Sequence, residues 1–224
     1  MKINNLSSPN FNKRKRSKKS INLIIIHYTG MQSERESIKR LCNPSSKVSS
    51  HFVINEKGKI YRLVQDQKIA WHAGLSCWKN YKNLNKNSIG IELVNKGHQF
   101  GYTNFKNKQL QSLTKVCKIL IKKYKIKKQN IVGHSDIAPL RKIDPGEKFP
   151  WQKFAGKNIG IWHDCKPSLL RKFRKIKINK KRERLKFLKN LKKIGYCFST
   201  KKIFFVKKTI KAFQMHYRKE LING

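Results

Sequence analysis

Hydrophobic positions along the chain follow two patterns. Some form short continuous runs, and others recur every three or four residues, as on one face of a helix. The short runs are rich in β-branched or aromatic residues, which predicts buried strands. These runs are residues 23–27, 51–54, 60–64, 88–94 and 131–134. The polar stretch 55–58 ends in a glycine, so we expect it to be the turn of a hairpin between the second and third runs.

Helical spacing appears between these predicted strands. Ser33 and Glu36 have the spacing of a capping box, which predicts a short helix from about there to Leu41. Apolar residues recur every three or four positions over residues 105–124, as in an amphipathic helix that packs on a sheet. The alternation of strands and helices over residues 21–164 predicts an α/β domain, with a mixed central β-sheet flanked by helices.

The two ends of the chain differ from this central part. Residues 1–20 are polar and basic, and we expect a disordered arm. Residues 166–224 contain 21 Lys and Arg but only two acidic residues, Glu183 and Glu220. Apolar residues still recur there at helical spacing, as at Leu185, Leu188 and Leu191. Residues 165–224 are therefore predicted to form a small, basic helical appendage.

The formal net charge of +43 comes from 54 Lys and Arg against 11 Asp and Glu. Such a charge favours an anionic partner, either nucleic acid, anionic lipid or an acidic wall polymer. General enrichment in Lys, Ile and Asn throughout the chain explains it equally well. Because no nucleic-acid-binding motif or stacking platform of aromatic residues is recognisable, specific nucleic-acid binding is not expected.

Cysteine usage and the N-terminus bear on the compartment. The five cysteines are odd in number and form no CxxC pair, so we expect no disulfide framework and a reducing environment. The basic N-terminus has no apolar segment typical of a secretory signal, and no stretch is long enough to span a bilayer. These features predict a cytoplasmic protein, with a periplasmic or wall-associated location as the alternative.

Three candidate metal ligands lie at or after the ends of predicted strands. His27 and His134 each end an apolar run, and Asp144 lies in the loop that follows. Two imidazoles and one carboxylate match a catalytic zinc site, whose fourth position is left for water. Each residue also has a structural interpretation, because a histidine at a strand end is often only hydrogen-bonded and an Asp before Pro-Gly often forms a turn.

Two further residues could supply proton transfer and charge stabilisation. Glu92 is an acid within an apolar strand, where burial would raise its pKa and suit it to proton transfer. Lys142, two residues before Asp144, could stabilise an oxyanion. A structural ion pair is the alternative role for Glu92, and lysine is common throughout this chain.

Six blocks of sequence in order resemble the zinc-dependent N-acetylmuramoyl-L-alanine amidases. This family includes the AmpD and AmiD amidases, the phage amidase-lysozymes and the animal peptidoglycan recognition proteins. The blocks are Ile-Ile-His-Tyr-Thr at 25–29, Ser-His-Phe-Val-Ile at 50–54, Ala-Trp-His-Ala-Gly at 70–74, Asn-Ser-Ile-Gly-Ile-Glu at 87–92, Val-Gly-His-Ser-Asp-Ile-Ala-Pro at 132–139 and Arg-Lys-Ile-Asp-Pro-Gly at 141–146.

The resemblance implies a mixed sheet with a zinc site at one edge. By this resemblance, the family's Zn²⁺ ligands correspond to His27, His134 and Asp144. The family's catalytic glutamate corresponds to Glu92, and its catalytic lysine corresponds to Lys142. The implied reaction is hydrolysis of the amide between N-acetylmuramic acid and L-alanine in peptidoglycan or muropeptides. Weaker candidates for substrate binding are His51, Trp71, His72 and Asn95. A monomer is expected, and non-catalytic peptidoglycan binding is the alternative function.

The tail also resembles a known module. Gly195-Tyr196 and the segments 212–218 and 222–224 are similar to the helical peptidoglycan-binding module that follows the amidase domain in AmiD-type enzymes. The chain ends where that module would continue into another helix. A shortened wall-binding module and a docking element for the amidase domain are both consistent with this pattern. The tail favours intact wall as substrate, whereas the predicted cytoplasmic location favours recycling of anhydro-muropeptides.

Overall fold

A six-stranded mixed β-sheet runs through the centre of the computed structural model, which describes residues 2–178, 180–200 and 202–224. The strands are β1 (Ile3–Asn5), β2 (Phe11–Asn12), β3 (Leu23–Tyr28), β4 (Phe52–Ile54), β5 (Ile60–Arg62), β6 (Ile69–Ala70), β7 (Cys77–Trp78), β8 (Tyr81–Lys82), β9 (Ser88–Leu93) and β10 (Ile131–Gly133). The α-helices are α1 (Glu34–Cys42), α2 (Asn107–Tyr124), α3 (His134–Ile137), α4 (Trp151–Ala155), α5 (Pro167–Lys175), α6 (Lys181–Ile194) and α7 (Ile203–Tyr217).

The central sheet has the strand order β1-β5-β4-β9-β3-β10. β4 and β5 form the predicted antiparallel hairpin, whereas β9, β3 and β10 lie parallel to one another. The prediction of an α/β fold with a mixed sheet flanked by helices is therefore confirmed. Because parallel strands end at the same edge, the residues at the ends of β3, β9 and β10 come together there.

Alternating residues of β3 face two separate cores, as a period of two requires. Ile24 and Ile26 pack in one core with helix α2, while Leu23 and Ile25 pack in the other. The second core also contains apolar residues of α6 and α7, such as Leu191 and Val206. The C-terminal helices therefore cover one face of the sheet and share a core with it, whereas a separate appendage was predicted.

The two predicted helices of the central part are confirmed. Ser33 precedes α1, and its hydroxyl accepts a hydrogen bond from the Glu36 backbone N–H at 3.1 Å, as a cap should. Helix α2 buries Leu113, Val116 and Leu120 against the sheet. Several boundaries differ from the predicted ones by one or two residues. At β10, for example, His134 begins helix α3 and does not end the strand.

The N-terminal arm is ordered, so the prediction of disorder is wrong for the described residues 2–20. Strand β1 extends the central sheet beside β5, and β2 pairs with β6. The buried Arg16 side chain donates hydrogen bonds to the carbonyl oxygens of Asp66 and Ser88, at 2.7 Å each. The basic composition of the arm did not indicate that it is ordered. Arg16 is buried whereas its neighbours Arg14 and Lys15 are exposed, and composition does not distinguish these residues.

The tail is joined to the central part by a disulfide between Cys77 and Cys197. The expectation of no disulfide is therefore wrong. The two cysteines are 120 residues apart in sequence, and they meet because the tail packs against β7. No local spacing of cysteines therefore indicates the pair. Cys42, Cys117 and Cys165 are free.

Helices α5, α6 and α7 agree with the predicted helical character of the tail. Met1, Asn179 and Lys201, which belong to the predicted arm and tail, lie outside the described residues. Within the described part of the chain, we find no helix with the length and apolar character needed to cross a membrane.

Candidate active site

Three buried side chains converge at the edge where the parallel strands end. His27 Nδ1 lies 3.0 Å from His134 Nδ1 and 3.0 Å from Asp144 Oδ2. His134 Nδ1 lies 3.2 Å from the same carboxylate oxygen. The structure thus brings together the three residues that the sequence marks as candidate metal ligands, although 117 positions separate the first from the last.

The local backbone explains this convergence. His27 belongs to β3 and His134 is the first residue of α3, directly after the neighbouring strand β10. The loop carrying Asp144 folds back over α3, where the Ser135 backbone N–H donates to the Asp144 carbonyl at 2.8 Å. Each side chain is at most 10% exposed.

The donor set fits a zinc ion. Ligand atoms about 2.0–2.1 Å from one tetrahedral zinc ion would be about 3.3 Å apart, close to the separations observed here. His134 Nε2 lies 3.2 Å from the Ala73 carbonyl oxygen, which can only accept a hydrogen bond. With its ring proton on Nε2, His134 donates to this carbonyl, and the Nδ1 lone pair points at His27 and Asp144.

The electrostatics of the cluster favour a neutral His27 and an ionised Asp144. Burial, then the nearby His134, lowers the pKa of His27 to about 4. Burial opposes ionisation of Asp144, yet electrostatic interactions and hydrogen bonds with His134 and His27 hold its pKa below the usual range. These are the protonation states in which both residue types bind a metal.

Glu92 lies beside this cluster. Strand β9 pairs with β3 in a register that places Glu92 opposite His27, while Ile91 and Leu93 pack in the core on the other face. Burial, followed by the negative charge of Asp144, raises the pKa of Glu92 to about 8. Among the described residues, its buried Oε2 has no hydrogen-bond partner, so this oxygen is available to a ligand or water.

A cleft of about 580 Å³ opens over the cluster. Glu92 and Lys142 line it together with His27, His134 and Asp144, which form part of its surface. All five predicted metal-binding and catalytic residues therefore border one cavity. Other lining residues include Tyr28 at the end of β3 and Arg40 of α1, together with Trp71, Phe100 and Arg141 from the surrounding loops.

The weaker substrate-binding candidates separate into two pairs. Trp71 and His72 line the cleft, although His72 is only 8% exposed and its ring contacts His27. His51 is fully buried and outside the cleft wall, where its Nδ1 accepts from the Gly90 backbone N–H at 3.0 Å. Asn95 is also buried, and its amide donates to the Thr103 carbonyl. His51 and Asn95 thus support the backbone and do not line the cleft.

Three residues that support the site were not among the candidates predicted from the sequence. Arg141 donates to the carbonyl oxygens of Ala73 and Leu75, which ties the Asp144 loop to the Trp71 loop. Ser88 contacts His72, and Asp136 holds α3 from within the core. Each lies within a block that resembles the amidases, so membership of those blocks was the available signal.

Comparison with known proteins gives a consistent result. The family model described as N-acetylmuramoyl-L-alanine amidase matches residues 17–147. The chain is 41% identical over 157 residues to the N-acetylmuramoyl-L-alanine amidase AmiD of Escherichia coli K12, a match covering 65% of this chain and 56% of that protein. It is 34% identical over 167 residues to the 1,6-anhydro-N-acetylmuramyl-L-alanine amidase AmpD of Haemophilus influenzae, covering 66% and 88% of the two chains.

A solved structure shares the fold over nearly the whole chain. This is the E. coli AmiD amidase in complex with anhydro-N-acetylmuramic acid-L-Ala-D-γ-Glu-L-Lys, with a TM-score of 0.80 and 34% identity. The alignment covers 95% of this chain and 85% of that one. The likeness therefore extends beyond residues 17–147 into the C-terminal helices, whereas the sequence match spans little more than half of the full-length AmiD.

Proposed function

The chain belongs to the N-acetylmuramoyl-L-alanine amidase family, and we propose that it hydrolyses the amide between N-acetylmuramic acid and L-alanine in peptidoglycan-derived muropeptides. The observation that carries this proposal is one cleft that contains both a buried His-His-Asp cluster and the pair Glu92 and Lys142. The substrate named in the similar AmiD structure, an anhydro-muropeptide, contains this amide.

His27, His134 and Asp144 would hold Zn²⁺ through two nitrogens and one oxygen. A zinc ion in such a site supplies Lewis-acid polarisation of a carbonyl and lowers the pKa of water from 15.7 to roughly 7. The chain's own contribution is rigidity, because all three side chains are buried and the ring nitrogens of both histidines that face away from the cluster have partners. Such partners fix the orientation of ligand rings.

Glu92 would act as the general base and then as the general acid. Its carboxylate accepts the proton of the attacking water and returns it to the leaving amine of L-alanine, so the group ends the cycle as it began. The raised pKa of Glu92 suits this dual role, since a group that titrates near the working pH both accepts and releases a proton readily. The unpartnered Oε2 is the atom that would receive it.

Lys142 would stabilise the negative charge that develops on the carbonyl oxygen during attack. It borders the same cleft and precedes Asp144 by two residues, so the loop that supplies a metal ligand also supplies a cation. A positioned donor of this kind typically contributes a factor of about 10²–10³ to the rate.

The Cys77–Cys197 disulfide supports an oxidising compartment, such as the periplasm, over the cytoplasmic location expected from the N-terminus. In such a compartment the protein would encounter the wall itself and also its soluble fragments. The strongly basic surface would favour contact with acidic wall polymers.

The proposal is tested by incubating zinc-loaded protein with anhydro-N-acetylmuramic acid-L-Ala-D-γ-Glu-L-Lys and, separately, with purified sacculi. Mass spectrometry should detect free stem peptide from at least one substrate. His134→Ala, which removes one ligand, should show neither equimolar zinc nor product. Binding of muropeptide by the zinc-loaded wild type without any release would overturn the proposal and favour a non-catalytic binding protein.

A further inference from the structure

The imidazole of His72 lies behind the metal cluster, with both ring nitrogens engaged. Its Nδ1 is 3.0 Å from His27 Nε2, and its Nε2 is 3.3 Å from Ser88 Oγ. Ser88 Oγ is in turn 2.6 Å from the Leu84 carbonyl oxygen. These four groups form one continuous chain of hydrogen bonds that ends at His27.

The direction of each hydrogen bond follows from the end of the chain. The Leu84 carbonyl can only accept, so the single hydroxyl proton of Ser88 is directed to it. The Ser88 oxygen must then accept from His72, which places the His72 proton on Nε2. His72 Nδ1 is left as an acceptor, so the proton of His27 lies on Nε2 and its Nδ1 lone pair faces the metal cluster.

The opposite direction is incompatible with a metal. A proton on His72 Nδ1 would require His27 Nε2 to accept, and the His27 proton would then lie on Nδ1, between the proposed ligands. It would also turn the Ser88 hydroxyl from a 2.6 Å contact to a 3.3 Å one and leave the Leu84 carbonyl without that donor.

The backbone around His72 is shaped to hold its ring. A Cβ at Gly90 would lie 2.4 Å from His72 Cγ, so only glycine at this place in β9 leaves room for the imidazole. Asn85 Oδ1 accepts from the backbone N–H groups of His72 and Ala73, at 3.0 and 2.7 Å. Gly90 thus leaves space for the ring of His72, and Ser88 orients it through a hydrogen bond.

We propose that His72 and Ser88 are positioning residues that fix the tautomer of His27 and thereby the metal affinity of the site, rather than substrate-binding residues. This inference rests on the proposed zinc site. Partners of this kind behind a metal-binding histidine typically change affinity by about 10–100-fold. We therefore expect His72→Phe to weaken zinc binding within that range and Ser88→Ala to weaken it about tenfold.

The experiment measures the zinc Kd of the full chain by competition with a chromophoric chelator. Ser50→Ala is the matched control, because Ser50 is also fully buried and its hydroxyl also donates to a backbone carbonyl, that of Phe52 at 3.0 Å. The control should keep the wild-type Kd within about twofold, as expected of a site outside the hydrogen-bond chain. Thermal unfolding of the metal-free variants establishes that each is folded.

Long-range ¹H–¹⁵N correlation spectra of the zinc-loaded wild type supply a second readout that needs no variant. The proton of His72 is expected on Nε2, and so is that of His27. A proton on His72 Nδ1, or an unchanged Kd in both His72→Phe and Ser88→Ala while the wild type binds zinc, would overturn the role of His72 and Ser88 alone. Failure of the wild type to bind zinc would overturn the zinc site as well.

Discussion

His216 Nδ1 lies 2.8 Å from Asp136 Oδ2, so the last helix of the chain holds the short helix that begins with His134. Both side chains are almost fully buried. The Asp136 carboxylate also accepts from the Tyr196 hydroxyl at 2.6 Å and the Gly133 backbone N–H at 2.8 Å. Among the described residues, the tail therefore supplies two of the three donors that satisfy a buried carboxylate two residues from a proposed metal ligand.

Replacing His216 by Phe should lower the free energy of unfolding by about 1–3 kcal/mol, because a buried carboxylate loses one donor. Phe preserves an aromatic ring against Trp151, which His216 stacks on with ring centroids 4.0 Å apart. Urea denaturation of the metal-free protein measures the change. Tyr196→Phe, which removes the other side-chain donor, should have a similar effect, and wild-type stability in both variants would contradict the role of the tail.

The disulfide should be present in protein purified without reductant. Alkylation of the unfolded, unreduced chain should then modify Cys42, Cys117 and Cys165, whereas prior reduction should expose all five cysteines. Intact mass distinguishes the two outcomes. Loss of a native disulfide typically costs about 2–5 kcal/mol, and a loop of this length is near the upper end of that range, so Cys197→Ser should lower the free energy of unfolding by that amount. Modification of all five cysteines without reduction would contradict the pairing.

Arg16→Met should lower the free energy of unfolding by about 3 kcal/mol or more, because it leaves several buried carbonyl oxygens without a donor. In the wild type, the guanidinium donates to the carbonyls of Asp66, Ser88 and Asn85. Arg14→Met is the control, since Arg14 is exposed, and it should change stability by less than about 0.5 kcal/mol. Equal effects of the two substitutions in denaturant titrations would show that the arm does not contribute through Arg16.

Acid should destabilise the protein partly through His51. Burial, then the neighbouring Arg16, lowers the pKa of His51 to about 3, so the folded protein keeps it neutral while the unfolded chain binds a proton below about pH 6.5. Its contribution to stability is therefore constant above pH 6.5. As the pH falls from 6.5 to 3, this contribution to the free energy of unfolding decreases by about 1.4 kcal/mol for each pH unit.

His51→Gln should accordingly show a smaller loss of unfolding free energy between pH 6.5 and 4.5 than the wild type. Denaturant titrations of the metal-free proteins at both pH values measure the difference. His98→Gln, at an exposed position, serves as the control. A variant with the same pH slope as the wild type would contradict the burial of a neutral His51.

Local patterns predicted the elements of the central sheet and its helices. Short apolar runs rich in β-branched residues located β3 and β9, and the Ser33 cap marked the start of α1, because these features depend on neighbouring residues. The candidate metal ligands and Glu92 were found from strand ends and from the six blocks. The parallel order of β9, β3 and β10 then explains why those residues meet.

The remaining features depend on contacts between distant segments. The Cys77–Cys197 pair and the His216–Asp136 hydrogen bond exist only because the tail folds back on the sheet, and neither has a local signature. Arg16 has the same side chain as its exposed neighbour Arg14, so composition alone could not show which one the interior binds. The position of His51 within one of the six blocks made it a candidate for substrate binding. The structure shows instead that its ring is buried and contacts Gly90 and Arg16.

The proposed reaction depends on Glu92 as the proton-transfer group beside a metal held by other residues. Turnover of the anhydro-muropeptide by Glu92→Gln, measured at zinc loading equal to that of the wild type, tests this most directly. We expect the variant to bind equimolar zinc and to lose a factor of about 10²–10⁴ in kcat. A zinc-loaded Glu92→Gln variant with wild-type kcat would contradict it.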